Sequence, residues 1–421
     1  MKLEAREVRY GGAMFDHDEI NAVTAQLQDP KGLIPGVKVC EFEQRVADFM
    51  GKKHGVMVNS GSSALLVAMR LANLPAGSEV ITPALTFSSD VAAILQVGCT
   101  PVFIDVGIDS YQALVEQIEE VISDNSKAIL IPDLVGGICD WDIVREVADK
   151  HGLFVIHDSA DTLGGKLRGK HTASRADISI TSFSIFHIIT ALGNGGMVFF
   201  DDDKYLDRAL ALRAWGRSSE KWMFGTKVDE SDGRFMEELD GIEYDGLFIF
   251  EENSYGFIPN ECGAAFGIAQ MNKIDKLWAL REERFKWHTE FLKKHEDKFI
   301  LPQIIDDTET TWLCYPIQLR PETGWSRRKL QMQLEDSNIN SRVIFSGNIT
   351  RHPMLKDHQY RVHPNGLPNC DQIMEFGIML PCHPTMTKED SEYVYQVIEE
   401  FIEAGGEITA SRVDPIDNGG W

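Results

Sequence analysis

No two cysteines in the chain stand in a C-x-x-C spacing. The seven present, Cys40, Cys99, Cys139, Cys262, Cys314, Cys370 and Cys382, are scattered and odd in number. That pattern argues against a disulfide framework and against a metal or cluster site, and it suits reduced thiols in the cytoplasm. Basic residues are also in short supply, 41 Lys and Arg against 65 Asp and Glu, for a formal net charge of -24. A general affinity for nucleic acid or an anionic membrane surface is therefore not expected. A locally positive pocket for an anionic ligand remains open. Much of the acidic excess is concentrated between Asp229 and Glu252, where ten acidic residues accompany one basic residue, Arg234. This stretch reads as a solvated surface excursion, with a binding surface for a basic partner as the alternative. No long hydrophobic run is present either. The most apolar stretch, Ile178 to Gly193, is interrupted by Ser179, Thr181, Ser182, Ser184, His187 and Thr190, which makes it a buried strand and turn and not a membrane span. The opening MKLEAREVRY is charged throughout with no apolar segment behind it, so no secretory leader is read there. Internal repeats and low-complexity tracts are missing too.

What the chain does have is a regular alternation. From about Glu41, short β-rich runs (GVMVNS, EVITP, TPVFIDV, KAILIPD, LFVIHDS) are separated by helix-like segments, and ADISITSF and GGMVFFDD follow as two more strands. Strands separated by helices imply an α/β fold with a mainly parallel sheet covered on both faces. Ligands of such sheets gather where the strands end. Four polar clusters lie at predicted strand ends: Ser60–Ser63, Thr82–Phe87, His157–Asp161 and Ser182–His187. After about Met271 the texture changes to a long charged helix, Asn272 to about His295. A smaller α+β segment follows, with TWLCYPIQL, a helix near Arg327–Asp336, INSRVIF and a last helix, Lys388–Ala404. The predicted division is a large lobe over residues 1–271, a small lobe over 272–404 and an aperiodic tail over 405–421, partly disordered.

Each cluster has a chemical and a plain reading. Ser60-Gly61-Ser62-Ser63, between a strand and an apolar helix, suits a phosphate at a helix N-terminus, or is simply a serine-rich cap. Asp158 ends a buried strand, so it needs either a cation or a turn to cap. Phe87 is placed to lie on a flat ring or to fill the core. His187, in an apolar run, is either a satisfied core histidine or a proton carrier.

Taken in order, GSS, TPALTF, HDSAD, SFSIFH and GNGG resemble the sugar aminotransferase family, pyridoxal-phosphate enzymes of the aspartate aminotransferase fold that act on nucleotide-linked keto-sugars. Its members read SGTSAL, TPxxTF, EDxAQxxG and SFxxxKxxxxxGEGG at these places. The resemblance runs from about Asn59 to Glu400. It implies that Ser62, Ser63 and Ser182 contact the cofactor phosphate, that Phe87 stacks on the ring and that Asp158 pairs with the ring nitrogen. Asp161 stands where the family has Gln near the ring hydroxyl. His187 falls on the position of the Schiff-base lysine.

That exchange is similar to one branch, the sugar 3-dehydrases, which work through pyridoxamine phosphate. Arg213-Ala214-Trp215-Gly216-Arg217 resembles its RDWGR. Phe345 to Pro353, with Asn348 and Arg351, resembles its GNxTRxP, so Arg217, Asn348 and Arg351 are implied as substrate contacts. Plain surface or interlobe pairing is the alternative for the two arginines. One dehydrase type carries an iron–sulfur cluster on cysteines after RDWGR. Here no cysteine occurs between Arg217 and Glu261, so no cluster and no metal are expected. The family's YNxR, with an Asn that reaches the partner subunit's phosphate, is replaced near Tyr255 to Ile258. Asn253 or Asn260 substitutes for it, or the dimer contact differs. The resemblance thus implies a cytoplasmic homodimeric dehydrase acting on a nucleotide-linked 4-keto-6-deoxyhexose, with glutamate or a similar amino donor. Another reaction of the amino cofactor and a non-catalytic sugar-nucleotide binder are the alternatives.

Overall fold

The computed structural model describes residues 6–28 and 33–410. Residues 411–421 of the tail lie outside the described residues, as do the side chains of Asp229 to Asp232.

An eight-stranded sheet takes seven strands from residues 54–200 and its last edge strand, Arg361–Val362, from the segment expected in the small lobe. In spatial order its strands are His54–Val58, Gly196–Phe200, Ile178–Ser182, Phe154–Asp158, Ser126–Pro132, Glu79–Pro83, Thr100–Ile104 and Arg361–Val362. Neighbours from Ile178–Ser182 to Arg361–Val362 run parallel. Gly196–Phe200 runs antiparallel to both of its neighbours. The central strands are buried along their whole length, as in Glu79–Pro83 and Ile178–Ser182, because helices cover both faces. The helix Gly61–Ala72 (GSSALLVAMRLA) is apolar on most of its surface and joins one core cluster with Val198, Ile156 and Ile180. Trp141–His151 starts where the Asp140 side chain accepts from the N–H groups of Asp142 and Ile143, a cap worth about 1 kcal/mol. It stops at Gly152, whose φ of 64° suits a residue without Cβ.

Because the parallel strands all point one way, Pro83, Asp158 and Ser182 end on one edge of the sheet. The polar clusters that follow them therefore meet there.

The predicted helix from Asn272 is present as Ile274–Leu292, and another helix precedes it. Glu261–Met271 and Ile274–Leu292 are separate helices, the first capped by the Asn260 side chain, which accepts from Gly263 N–H at 2.7 Å. The smaller sheet pairs Phe299–Ile300, Tyr315–Leu319 and Gly377–Leu380 antiparallel. It shares a core with Leu330, Val394 and Phe401. INSRVIF, expected as a strand, makes only isolated bridges, Val8 to Ile339 and Arg342 to Met379. Only Arg342 pairs with the free edge of Gly377–Leu380 before the chain turns at Phe345, whose φ is 41°. The acidic excursion forms a short hairpin, Glu237–Leu239 with Ile242–Tyr244. Its last two acids are not free surface charges: Glu252 bonds Arg70 and Arg208, and Glu251 bonds Lys221.

Candidate functional site

Three backbone segments close against one another at the head of the Gly61–Ala72 helix. Gly196 stands opposite both Val58 and Ser182 in the sheet register. A Cβ on Gly196 would lie 2.3 Å from the Ser60 carbonyl oxygen, and one on Gly61 would lie 2.6 Å from Ser182 Cβ. Both positions therefore demand glycine, and the result is a tight floor of backbone with serine hydroxyls around it. Ser60 caps the helix by accepting from Ser63 N–H at 3.1 Å. The Ser63 hydroxyl reaches Asn59 Oδ1 at 2.7 Å, and Ser182 Oγ accepts from Ser184 N–H at 3.3 Å. Ser62 is exposed. A cavity of about 360 Å³ opens beside the helix head, lined by Ser62, Ser63, Phe87 and Phe257. An anion fits this cradle through the helix dipole and unpaired N–H groups.

Phe87, 55% exposed, projects at the rim and meets Phe345 of the small lobe edge-on at 6.2 Å. The turn that carries it is held by the small lobe. Ile349 N–H donates to Ala84 O at 2.9 Å, and Thr86 N–H to Ser346 Oγ at 3.3 Å.

At the strand ends behind this rim lie the titratable groups. Asp158 is buried, and its Oδ1 accepts from Ala160 N–H at 2.8 Å. Burial pushes its carboxyl up from the usual value. Asp161 Oδ2 accepts from Val135 N–H at 2.9 Å, and burial pushes that carboxyl up to about 7. His187 Nε2 lies 3.7 Å from Asp161 Oδ1, beyond hydrogen-bond range. Burial, reinforced by the Arg281 guanidinium, lowers the imidazole to about 4, so it is neutral near pH 7. Among the described residues its Nδ1 is buried with no hydrogen-bond partner. A neutral imidazole and a carboxyl poised near neutrality form an arrangement that moves protons.

The donor set fits pyridoxal phosphate part by part: an anion cradle, an exposed aromatic face, a buried carboxylate in need of a cation, and an imidazole with an orphaned nitrogen.

The three implied sugar contacts are placed differently. Arg217 lies over Trp215 and Phe248, with its Cζ 5.4 and 5.1 Å from the ring centres, and bonds Ser219 Oγ at 2.8 Å. Arg351 forms a bidentate pair with Asp371. Asn348, 2% exposed, donates to Asp371 at 2.6 Å and accepts from the Thr350 N–H and hydroxyl. Of the two candidate asparagines, Asn260 is committed to its helix cap and Asn253 is exposed.

Arg281 and Asp90 escaped the sequence reading. Arg281, 1% exposed, donates to the carbonyls of Trp312, Leu313 and Cys382, and from Nη2 to His187 O at 3.1 Å. It thereby ties the His187 backbone to the small lobe. In sequence it is one charge among many on a charged helix, and only its place on the apolar face at Leu277 and Phe285 hints at burial.

The model of the DegT/DnrJ/EryC1/StrS aminotransferase family matches residues 14–399. The lipopolysaccharide biosynthesis protein RfbH of Salmonella typhimurium is 31% identical over 371 residues, 86% of this chain and 84% of that protein. The dTDP-4-dehydro-2,6-dideoxy-D-glucose 3-dehydratase of Saccharopolyspora spinosa is 29% identical over 405 residues, 94% of this chain and 86% of that enzyme. Among solved structures, the E. coli GDP-4-keto-6-deoxy-D-mannose-3-dehydratase with bound hydrated PLP superposes with a TM-score of 0.83. It is 24% identical and covers 93% of this chain and 100% of its own. Among the described residues no helix is long and apolar enough to cross a membrane.

Proposed function

Because the chain belongs to the DegT/DnrJ/EryC1/StrS aminotransferase family, whose enzymes depend on pyridoxal phosphate, we propose that it is a sugar-nucleotide 3-dehydrase. It removes the C3 hydroxyl of a nucleotide-linked 4-keto-6-deoxyhexose, works with the amino form of the cofactor and needs no iron–sulfur cluster. What supports this is residue 187, an imidazole with one buried nitrogen that has no hydrogen-bond partner among the described residues, at the position the sequence resemblance gives to the Schiff-base lysine.

When bound, the cofactor supplies an electron sink whose strength depends on a protonated ring nitrogen. The remaining tasks belong to side chains. Asp158 holds the proton on the ring nitrogen. Ser62, Ser63, Ser182 and the helix N-terminus hold the phosphate, and Phe87 covers the ring face. Asp161 faces the ring hydroxyl. His187, neutral above about pH 4, takes a proton at the C4′ carbon and delivers one to the departing C3 oxygen. Arg217 and Arg351 bind the diphosphate or the donor's carboxylate, Arg351 by exchanging Asp371 for it. Asn348 holds that loop in place. The C3 oxygen leaves as water. The two electrons come from an amino acid, most simply glutamate, which ends as the 2-oxoacid while its nitrogen is released as ammonia.

The protein acts as a cytoplasmic homodimer in this scheme. Phe250 and Tyr255, near Asn253 in sequence, are 64% and 69% exposed and available to a second copy. A monomer in sedimentation that keeps full activity would defeat that part.

The test is to load the protein with cofactor and glutamate, offer a panel of nucleotide-linked 4-keto-6-deoxyhexoses, and read the products by mass spectrometry. A sugar nucleotide lighter by one oxygen, together with ammonia, is expected. An amino sugar without ammonia would replace dehydration by transamination. Tight sugar-nucleotide binding without any turnover would mark a non-catalytic binder.

A further inference from the structure

Asp90 is a buried acid for which the scheme above has no use. It lies in the first turn of the Ser88–Gln96 helix, three residues after Phe87, and is 0% exposed. In sequence it passes for an ordinary acid at a helix N-terminus. In the structure its Oδ2 accepts from the Thr86 hydroxyl. Its Oδ1 is buried and has no donor among the described residues. The Asp90 and Asp158 carboxyls lie within hydrogen-bond reach of one another.

Two carboxylates in contact away from water do not both ionise. One proton must lie between them, and the surroundings decide where. Asp158 accepts from Ala160 N–H and is next to His157, and both favour its charged form. Asp90 faces the carboxylates of Asp158 and Asp161 and has only the Thr86 hydroxyl in its favour, so burial and Asp158 push it well above the usual carboxylate range. A proton on Asp90 Oδ1 also gives that orphaned oxygen its partner.

We propose that Asp90 is a positioning residue: as a neutral carboxylic acid it donates a hydrogen bond to Asp158, keeping that carboxylate ionised and aimed so that the neighbouring proton stays on the cofactor's ring nitrogen. The physical cause is simple. A carboxylate that receives a hydrogen bond becomes a weaker base and competes less for that proton. This rests on the assignment of Asp158 to the ring nitrogen made above.

The experiment reads the ring nitrogen directly. The enzyme is loaded with pyridoxal phosphate labelled with nitrogen-15 in the ring, converted to the amino form with glutamate, and followed by NMR across pH. Asp90→Asn keeps a neutral donor, whereas Asp90→Leu keeps the bulk and loses the donor. In the native protein and Asp90→Asn the ring nitrogen should stay protonated to the same pH. In Asp90→Leu the transition should move down by about one unit or more, with kcat falling and KM little changed. An unshifted Asp90→Leu overturns the proposal, and so does an Asp90→Asn that behaves like Leu. Should Asp90→Leu fail to fold, infrared difference spectra of the native protein and Asp90→Asn decide: a protonated-carboxyl band lost in the variant is expected, and its absence overturns the proposal. Asp158→Asn separates the two levels. If that variant leaves the ring nitrogen's titration unchanged, it is the assignment of Asp158 that fails.

Discussion

The two ends of the cleft are built on different principles. At the cofactor end, Ser60–Ser63, Asp158 and Ser182 sit on strand tips or the first turn of a buried helix, and paired strands and glycine contacts at Gly61 and Gly196 fix their backbone. Ser62 stays open to solvent and His187 Nδ1 has no partner among the described residues, so both are free to meet a ligand. At the proposed sugar end, Arg217, Asn348 and Arg351 lie in loops, and each already has internal partners. One end is preorganised, and the other has to exchange contacts to bind. Preorganised groups act on the chemical step, whereas exchangeable ones act on affinity.

The largest expected effect belongs to the rigid end. His187→Asn should leave cofactor binding largely intact, because Ser62, Ser63, Ser182 and Asp158 remain. Product formation should drop by roughly two to four orders of magnitude, and solvent exchange at C4′ should drop with it. Near-native turnover and exchange would make the histidine a packing residue. At the loop end, Arg351→Gln should raise KM for the sugar nucleotide roughly tenfold, the worth of about one charged hydrogen bond. Its kcat and melting temperature should hardly change, since the pair with Asp371 is exposed. A collapse of kcat with KM unchanged would erase the contrast between the two ends.

The smallest effect is one of stability. Burial holds Asp161 at about 7 in the fold against 3.8 as its ordinary value. Between those values the folded chain binds more protons than the unfolded one, so this group's contribution is full below the lower value and is lost as pH rises through the upper. Asp161→Asn should therefore melt a few degrees above the native apo-protein near pH 8. That gap should narrow steadily toward pH 4, and a gap that is flat with pH would place Asp161 in a more hydrated setting than the structure gives it.

Legibility in the sequence follows the same division. The α/β class and the large parallel sheet were readable because each strand is short, apolar and bounded by turn residues, as in EVITP and KAILIPD. The strand-end clusters were readable because a parallel sheet brings every strand terminus to one edge, whatever the loops do. Asp90 and Arg281 were not, because a single charge on a helix looks alike whether it faces water or a buried carbonyl, and only packing tells the two apart. The segment INSRVIF misled for a related reason: its β-branched residues fit a strand, but only Arg342 pairs with the edge of Gly377–Leu380 before the chain turns at Phe345. For Arg351 and Asn348 the sequence pointed to the loop without revealing Asp371, twenty residues away from Arg351, as their partner.

The central claim is that residue 187 faces the cofactor carbon to which a lysine would bond. His187→Lys tests it most directly, with borohydride reduction of the loaded protein followed by peptide mapping. Reduction should fix the cofactor to residue 187 in the variant, the native protein should resist fixation, and dehydration should be suppressed in the lysine form. A His187→Lys protein that binds cofactor yet shows none attached at residue 187 would contradict it.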